Sequence, residues 1–183
     1  MHILVTGFEP FGGESTNPSM ELVRALDAQI GAAHIHTAIL PVTASGGLQA
    51  ALRAIEEIDP DAVVCVGQAG GRCAVTVERL AVNVDDFSIP DNEGQQPRNV
   101  PIVEGGPDAY LSTLPIEKMV EAMRGAGVPA AVSNSAGTYV CNHVMYGVAH
   151  YLHQHRPTAR SGFIHIPYLP QQVLDKPDKP SMG

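Results

Sequence analysis

The chain has 183 residues, with 11 Lys and Arg against 19 Asp and Glu, for a formal net charge of −8. With 44% hydrophobic and 16% charged residues it reads as one globular domain, 1–183, rather than a disordered chain. The acidic balance excludes a nucleic-acid partner, which needs clustered Lys and Arg, and no apolar run approaches the roughly 18–20 residues of a membrane span. The start, Met-His-Ile-Leu-Val, lacks the basic and long apolar regions of a signal peptide. Three Cys (Cys65, Cys73, Cys141) are too few and scattered for a disulfide framework or zinc ribbon, so a reducing cytoplasm is the expected location.

In chain order, Ile3–Val5 reads as a buried strand, followed by a Gly- and Phe-rich loop over Thr6–Thr16. Asn17-Pro18 predicts an N-cap with Pro at the first helical position, and a helix turning Met20, Leu22, Val23, Leu26 and Ile30 inward. His34–Leu40 alternates as a strand does. Thr43–Ile58 predicts a helix with Leu48, Leu52, Ile55 and Ile58 on one face, ended by Asp59-Pro60. Ala62–Val66, apolar on both faces, suits a central strand. Val75–Val84 reads as extended and Asp85–Gly106 as a long functional or mobile loop, with room for a hairpin. A helix over Thr113–Arg124, a strand over Ala130–Ser133, a helix over Asn142–His155 and a strand over Gly162–Ile166 complete the pattern. Alternating strands and helices predict an α/β fold: a three-layer α/β/α sandwich around a twisted, mostly parallel (mixed) sheet.

Ligands in such sheets bind beyond the carboxyl ends of the strands. Thr6-Gly-Phe-Glu-Pro-Phe-Gly-Gly lacks the spacing of a phosphate loop, and Glu9 would repel a phosphate. Phe8 and Phe11 either wall a neutral ligand or pin the loop to the core. Gly67-Gln-Ala-Gly-Gly-Arg allows close backbone approach, or simply a tight turn. In Ser133-Asn-Ser-Ala-Gly-Thr-Tyr-Val-Cys-Asn-His, Cys141 falls immediately before a helix. The helix N-terminus lowers a thiol's pKa, and its free N–H groups can hold an oxyanion, although a lone Cys is more often a buried structural residue. Cys65, inside an apolar strand, reads as inert.

A Cys nucleophile needs a base and a group that orients the base. Of the eight His, His150 and His153 are spaced as a metal pair, but no nearby Cys or carboxylate completes a set, so no metal and no other cofactor are expected. His143, two residues from Cys141 on a helix, faces elsewhere. His165 ends an apolar strand just before Pro167 and can face the ligand edge. Glu78, a carboxylate within an extended apolar stretch, needs a partner, and neighbouring Arg79 projects from the opposite side of a strand.

Together these segments resemble the pyroglutamyl-peptidase I (pyrrolidone-carboxylate peptidase) family. The resemblance runs from Ile3 to Met182 and is carried by the 6–13 loop with Asn17-Pro18, by Glu78-Arg-Leu-Ala-Val-Asn, Ile89-Pro-Asp-Asn-Glu-Gly, the 133–142 segment and His165-Ile-Pro-Tyr-Leu-Pro. It implies a cytoplasmic cysteine peptidase, an exopeptidase removing N-terminal pyroglutamyl residues through a Cys141–His165–Glu78 triad and a thioester, with no metal. It further implies a lactam pocket from Phe8, Phe11, Thr43, Ile89, Tyr139 and Val140, with Asn17 and Gln68 as the polar pair. Asn142 at the helix start and Arg79 are candidates for the oxyanion. Members form homo-oligomers, dimers or tetramers, and continue past Pro-Ser-Met into a C-terminal helix that this sequence, ending at Gly183, lacks. A non-catalytic lactam-binding protein and a hydrolase of another small cyclic or glutaminyl amide stand as alternatives.

Overall fold

The computed structural model describes all residues, Met1–Gly183. A seven-stranded sheet runs in the order β2-β3-β1-β4-β9-β5-β8. Its strands are β1 (His2–Phe8), β2 (Gln29–Ile30), β3 (Ala33–Leu40), β4 (Ala62–Gln68), β5 (Val75–Glu78), β8 (Ala130–Ser133) and β9 (Arg160–Ile166). Strands β3, β1, β4 and β9 are parallel neighbours, and β5 pairs parallel with β8 but antiparallel with β9. The sheet is thus mixed, with one internal reversal at the β9–β5 seam.

Helices α2 (Ala44–Ile58) and α4 (Val140–His155) pack together on one face, while α1 (Pro18–Ala25) and α3 (Ile116–Gly125) cover the other. The main core lies under α2 and α4, where Leu4, Leu40, Ile55, Val63, Val144, Tyr146 and Phe163 are buried. The α/β/α layering follows from the alternation of strand and helix in the chain.

Local chemistry accounts for most element boundaries. Asn17 caps α1 by accepting from the Ser19 amide at 3.0 Å, with Pro18 at the first helical position. Asp59 ends α2 in the left-handed conformation (φ 52°), its amide bonded to Ile55 O. Four expectations need correction. Helix α1 stops at Ala25, so Ile30 does not face inward: it lies on β2 and is 53% exposed, because Gly31 turns the chain into β3. The extended stretch 75–84 is not one strand but β5 followed by β6 (Leu80–Val82), which pairs in a separate small sheet with β7 (Ala109–Leu111). Helix α4 begins at Val140, so Cys141 sits inside its first turn rather than before it. The long segment 85–106 forms no hairpin; it makes one isolated bridge, Asp85 to Val100.

Candidate active site

The carboxyl ends of β1, β4 and β9 and the start of α4 enclose a cavity of about 190 Å³. Phe8, Phe11, Val42, Tyr139 and Val140 form its apolar wall, and Asn17, Gln68, Arg72, Cys141 and His165 reach it. This volume suits a small ring. The wall is built by loop chemistry. The Asn17 cap also accepts from Ser19 Oγ at 2.8 Å, and Ser19 Oγ accepts from the Phe8 amide at 2.9 Å, so the cap holds the backbone of the Phe8 loop. Glu9 turns outward to accept from the Val42 amide and Asn92 Nδ2, fastening two further segments. The Tyr139 ring lies between Phe11 and Phe87, and its hydroxyl donates to Pro90 O at 3.0 Å.

At the polar end, Cys141 projects from the first turn of α4. The helix's first internal bond is His143 N–H to Tyr139 O, which leaves the amides of Val140, Cys141 and Asn142 without intrahelical acceptors. Such free donors can hold a developing oxyanion. Gly67 of β4 passes directly beneath the thiol: a Cβ there would stand 2.9 Å from Cys141 Sγ and 2.8 Å from the Phe163 ring. Glycine at this position is what allows the sheet edge to approach the sulfur.

His165 stands next to Gly67 on one side and opposite Thr76 on the other. Its Nδ1 meets Glu78 Oε1 at 2.8 Å, and the Glu78 side chain is fully buried. The antiparallel seam between β9 and β5 places the two side chains together. Arg72, from the β4–β5 loop, donates to the same carboxylate oxygen at 2.6 Å, to Thr76 Oγ1, and to Ser135 O at 3.2 Å. Burial alone would raise the Glu78 carboxyl, but His165 first, then Ser133 and Arg72, outweigh it together and hold the group below its ordinary range. Burial pushes the His165 imidazolium down, against the opposing pull of Glu78. The Cys141 thiol is pushed up to about 12, chiefly by burial. This corrects the expectation that the helix N-terminus lowers it: desolvation of the thiolate by burial dominates. Cys65, within the sheet, is likewise raised, to about 11, and Cys73 lies exposed on a loop.

Other candidates fall elsewhere. Arg79 is no oxyanion group: it binds Asn134 Oδ1 at 2.9 Å and Glu117 at 3.3 Å and does not line the cavity, since it leaves the chain on the side opposite Glu78. The Asn142 side chain is pinned to β6 through the Val82 amide and carbonyl, so only its backbone amide can face a ligand. Thr43 is buried but does not line the cavity, and Ile89 is 43% exposed and does not line it either. Asn17 reaches the cavity, yet its oxygen is occupied by Ser19 and its amide donates to Glu9 O. His143 forms a second imidazole–carboxylate pair, with Asp85 at 2.7 Å, away from the cavity.

Arg72, Val42 and Gln172 belong to the site or its support without a local signal in the sequence. Arg72 ends the Gly67–Arg72 loop, but no motif in the sequence connects it to Glu78. Gln172 is buried and orders Gln68: its oxygen accepts from the Leu169 amide, and its Nε2 donates to Thr16 O and to Gln68 Oε1 at 2.9 Å. Because backbone groups fix both ends of Gln172, the Gln68 amide has one free end, the Nε2 donor.

The chain matches known proteins along its whole length. A family model described as pyroglutamyl peptidase matches residues 1–183. The chain belongs to the pyroglutamyl peptidase family. It is 53% identical over 183 residues to pyrrolidone-carboxylate peptidase 1 of Caldanaerobacter subterraneus subsp. tengcongensis, covering 100% of this chain and 90% of that protein. It is 52% identical over 182 residues to the pyrrolidone-carboxylate peptidase of Yersinia pestis, covering 99% and 85%. Among solved structures, pyroglutamyl peptidase I of Bacillus amyloliquefaciens superposes with a TM-score of 0.96 at 47% identity, covering 100% of this chain and 88% of that one. Pyrrolidone carboxyl peptidase of Thermococcus litoralis gives 0.95 at 42% identity, covering 99% and 85%. Membership makes the chain a cysteine peptidase of the hydrolase class. No helix is long and apolar enough to cross a membrane.

Proposed function

We propose that residues 1–183 form a peptidase domain that hydrolyses the bond after an N-terminal pyroglutamyl residue, with Cys141 as nucleophile, His165 as base and Glu78 as the group that orients the imidazole. The observation that carries this reading is the His165–Glu78 bond at the rim of an apolar cavity that also holds the Cys141 thiol. Glu78 on Nδ1 leaves Nε2 as the ring nitrogen available to the thiol. As the substrate binds, the Cys141 proton passes to Nε2 and the sulfur attacks the pyroglutamyl carbonyl carbon. The carbonyl oxygen takes up the negative charge against the free amides at the start of α4. Collapse of this intermediate breaks the C–N bond. The imidazolium returns its proton to the departing amine and a thioester remains. His165 then removes a proton from water, the hydroxide attacks the thioester, and the thiol is regenerated as pyroglutamate leaves.

The cavity explains the choice of acyl group. The pyroglutamyl group is a neutral, flat lactam, and apolar walls with a free amide donor at Gln68 suit its ring and carbonyl. A charged N-terminal amine would be desolvated there without a partner. A prolyl anilide is therefore cleaved about 10⁴-fold more slowly than its pyroglutamyl counterpart, or worse. The test is release of the reporter amine from a pyroglutamyl anilide by the purified chain. Cys141→Ala abolishes the release; equal turnover by that variant overturns the proposal.

A further inference from the structure

Glu78 poses an electrostatic problem that His165 alone does not solve. Its carboxylate is fully buried, and its Oε2 has no hydrogen-bond partner. A buried anion needs a compensating charge. If the imidazole were the only group available, the carboxylate would draw a proton onto it, and an imidazolium cannot accept the thiol proton. Arg72 removes the conflict, because its guanidinium is always charged and donates to the same Oε1 that His165 meets, at 2.6 Å against 2.8 Å.

The arginine is itself fixed in place. Nη1 also bonds Thr76 Oγ1, from the residue paired with His165 across the β5–β9 seam. Nη2 reaches Ser135 O, in the loop whose Ala136, Gly137 and Tyr139 line the cavity in front of Cys141. One guanidinium thus joins the β4–β5 loop, the base-bearing seam and the segment leading into α4. A lysine carries the charge but cannot make these bonds from two nitrogens.

We propose that Arg72 is a positioning residue of this site, neutralising Glu78 so that His165 stays a free base, and holding the 134–139 loop against the cavity. The inference rests on reading Cys141, His165 and Glu78 as a peptidase triad. The charged and titratable groups around the imidazole are Glu78 from β5, Arg72 from the β4–β5 loop and Cys141 from α4, with Cys65 of β4 behind the thiol. With Arg72 in place the resting set is neutral overall, and moving the thiol proton to His165 keeps it so. Without Arg72 the set gains neutrality by protonating His165.

The experiment uses the full chain as wild type, Arg72→Gln and Arg72→Lys. Alkylation of Cys141 by neutral iodoacetamide is followed across pH by peptide mass, so that exposed Cys73 is scored separately. Turnover of a pyroglutamyl anilide is measured in parallel. In Arg72→Gln the acidic limb of both profiles moves up by about one pH unit. Its kcat falls about 10- to 100-fold, while KM changes less than about threefold. Arg72→Lys keeps the limb in place but does not restore full kcat. Limbs coincident with wild type in Arg72→Gln, or full kcat in either variant, overturn the proposal. Should Arg72→Gln fail to fold, Arg72→Lys decides by its kcat. If wild type leaves the anilide intact while the alkylation limb still shifts, the substrate reading fails and the role of Arg72 stands.

Discussion

Cys141 carries two opposed influences. The first turn of a helix favours a thiolate, but burial against Gly67, Phe163 and the apolar wall disfavours any anion more strongly, and the thiol is held at about 12. Burial thus favours the neutral thiol and the neutral imidazole, and in the proposed mechanism the proton moves as the sulfur attacks. The sign of the pH dependence follows. In the proposed role His165 acts only when neutral, and burial holds its pKa below the ordinary 6.5. The free-enzyme kcat/KM profile rises with pH along a limb centred below 6.5, checked by initial rates across buffers of constant ionic strength; a limb above 7 contradicts this. Gly67 offers a steric check. Gly67→Ala forces a methyl group to within 2.9 Å of Cys141 Sγ, which costs about 1–3 kcal/mol of stability and at least tenfold in kcat, read by denaturant unfolding and turnover.

At the scale of elements, the site depends on two that change direction. The β5–β6 stretch leaves the main sheet at Arg79, so Glu78 faces His165 while Leu80–Val82 joins the small sheet beside α4. Helix α4 is fixed at both sides of its first turns. Asn142 grips Val82, and fully buried Tyr146 donates to Pro107 O at 2.7 Å. Tyr146→Phe deprives that carbonyl of its donor and costs about 1–3 kcal/mol in urea unfolding, while turnover at saturating substrate stays within about twofold because the ring does not line the cavity. The Tyr139 hydroxyl to Pro90 O bond ties α4 to the 85–106 segment. Tyr139→Phe keeps the ring between Phe11 and Phe87 but frees that segment, raising KM about two- to tenfold with little change in melting temperature, measured by steady-state kinetics and thermal unfolding.

For the whole molecule, the Glu78–His165 pair couples stability to acidity. The folded-state pKa of Glu78 lies below its ordinary 4.5, so its contribution is present above 4.5 and lost as pH falls through the folded value. The folded-state pKa of His165 lies below 6.5, so on acidification from 6.5 the unfolded chain takes up a proton that the folded chain resists, and stability again declines. Both act in the same direction, so the melting temperature falls steadily from about pH 6.5 downward. A His165→Gln variant removes the upper part of that slope; an unchanged slope in this variant would show that other groups set it.

Much of this organisation is written locally in the chain. Asn17-Pro18 specifies a helix start because a short polar side chain and a fixed φ act within a few residues. The apolar run at 62–66 specifies a central strand, and the alternation of strands and helices specifies the layering. The motifs around Cys141, His165 and Glu78 single out those residues by type and neighbourhood. What the chain does not state locally is which groups meet across the sheet. The antiparallel seam that brings Glu78 to His165, the Arg72 fork onto the same carboxylate and the Gln172 bond that orients Gln68 join residues 87, 6 and 104 positions apart. The rise of the Cys141 thiol is of the same kind. Desolvation is a property of everything packed around a group, so only the folded chain could decide that burial would overrule the helix end.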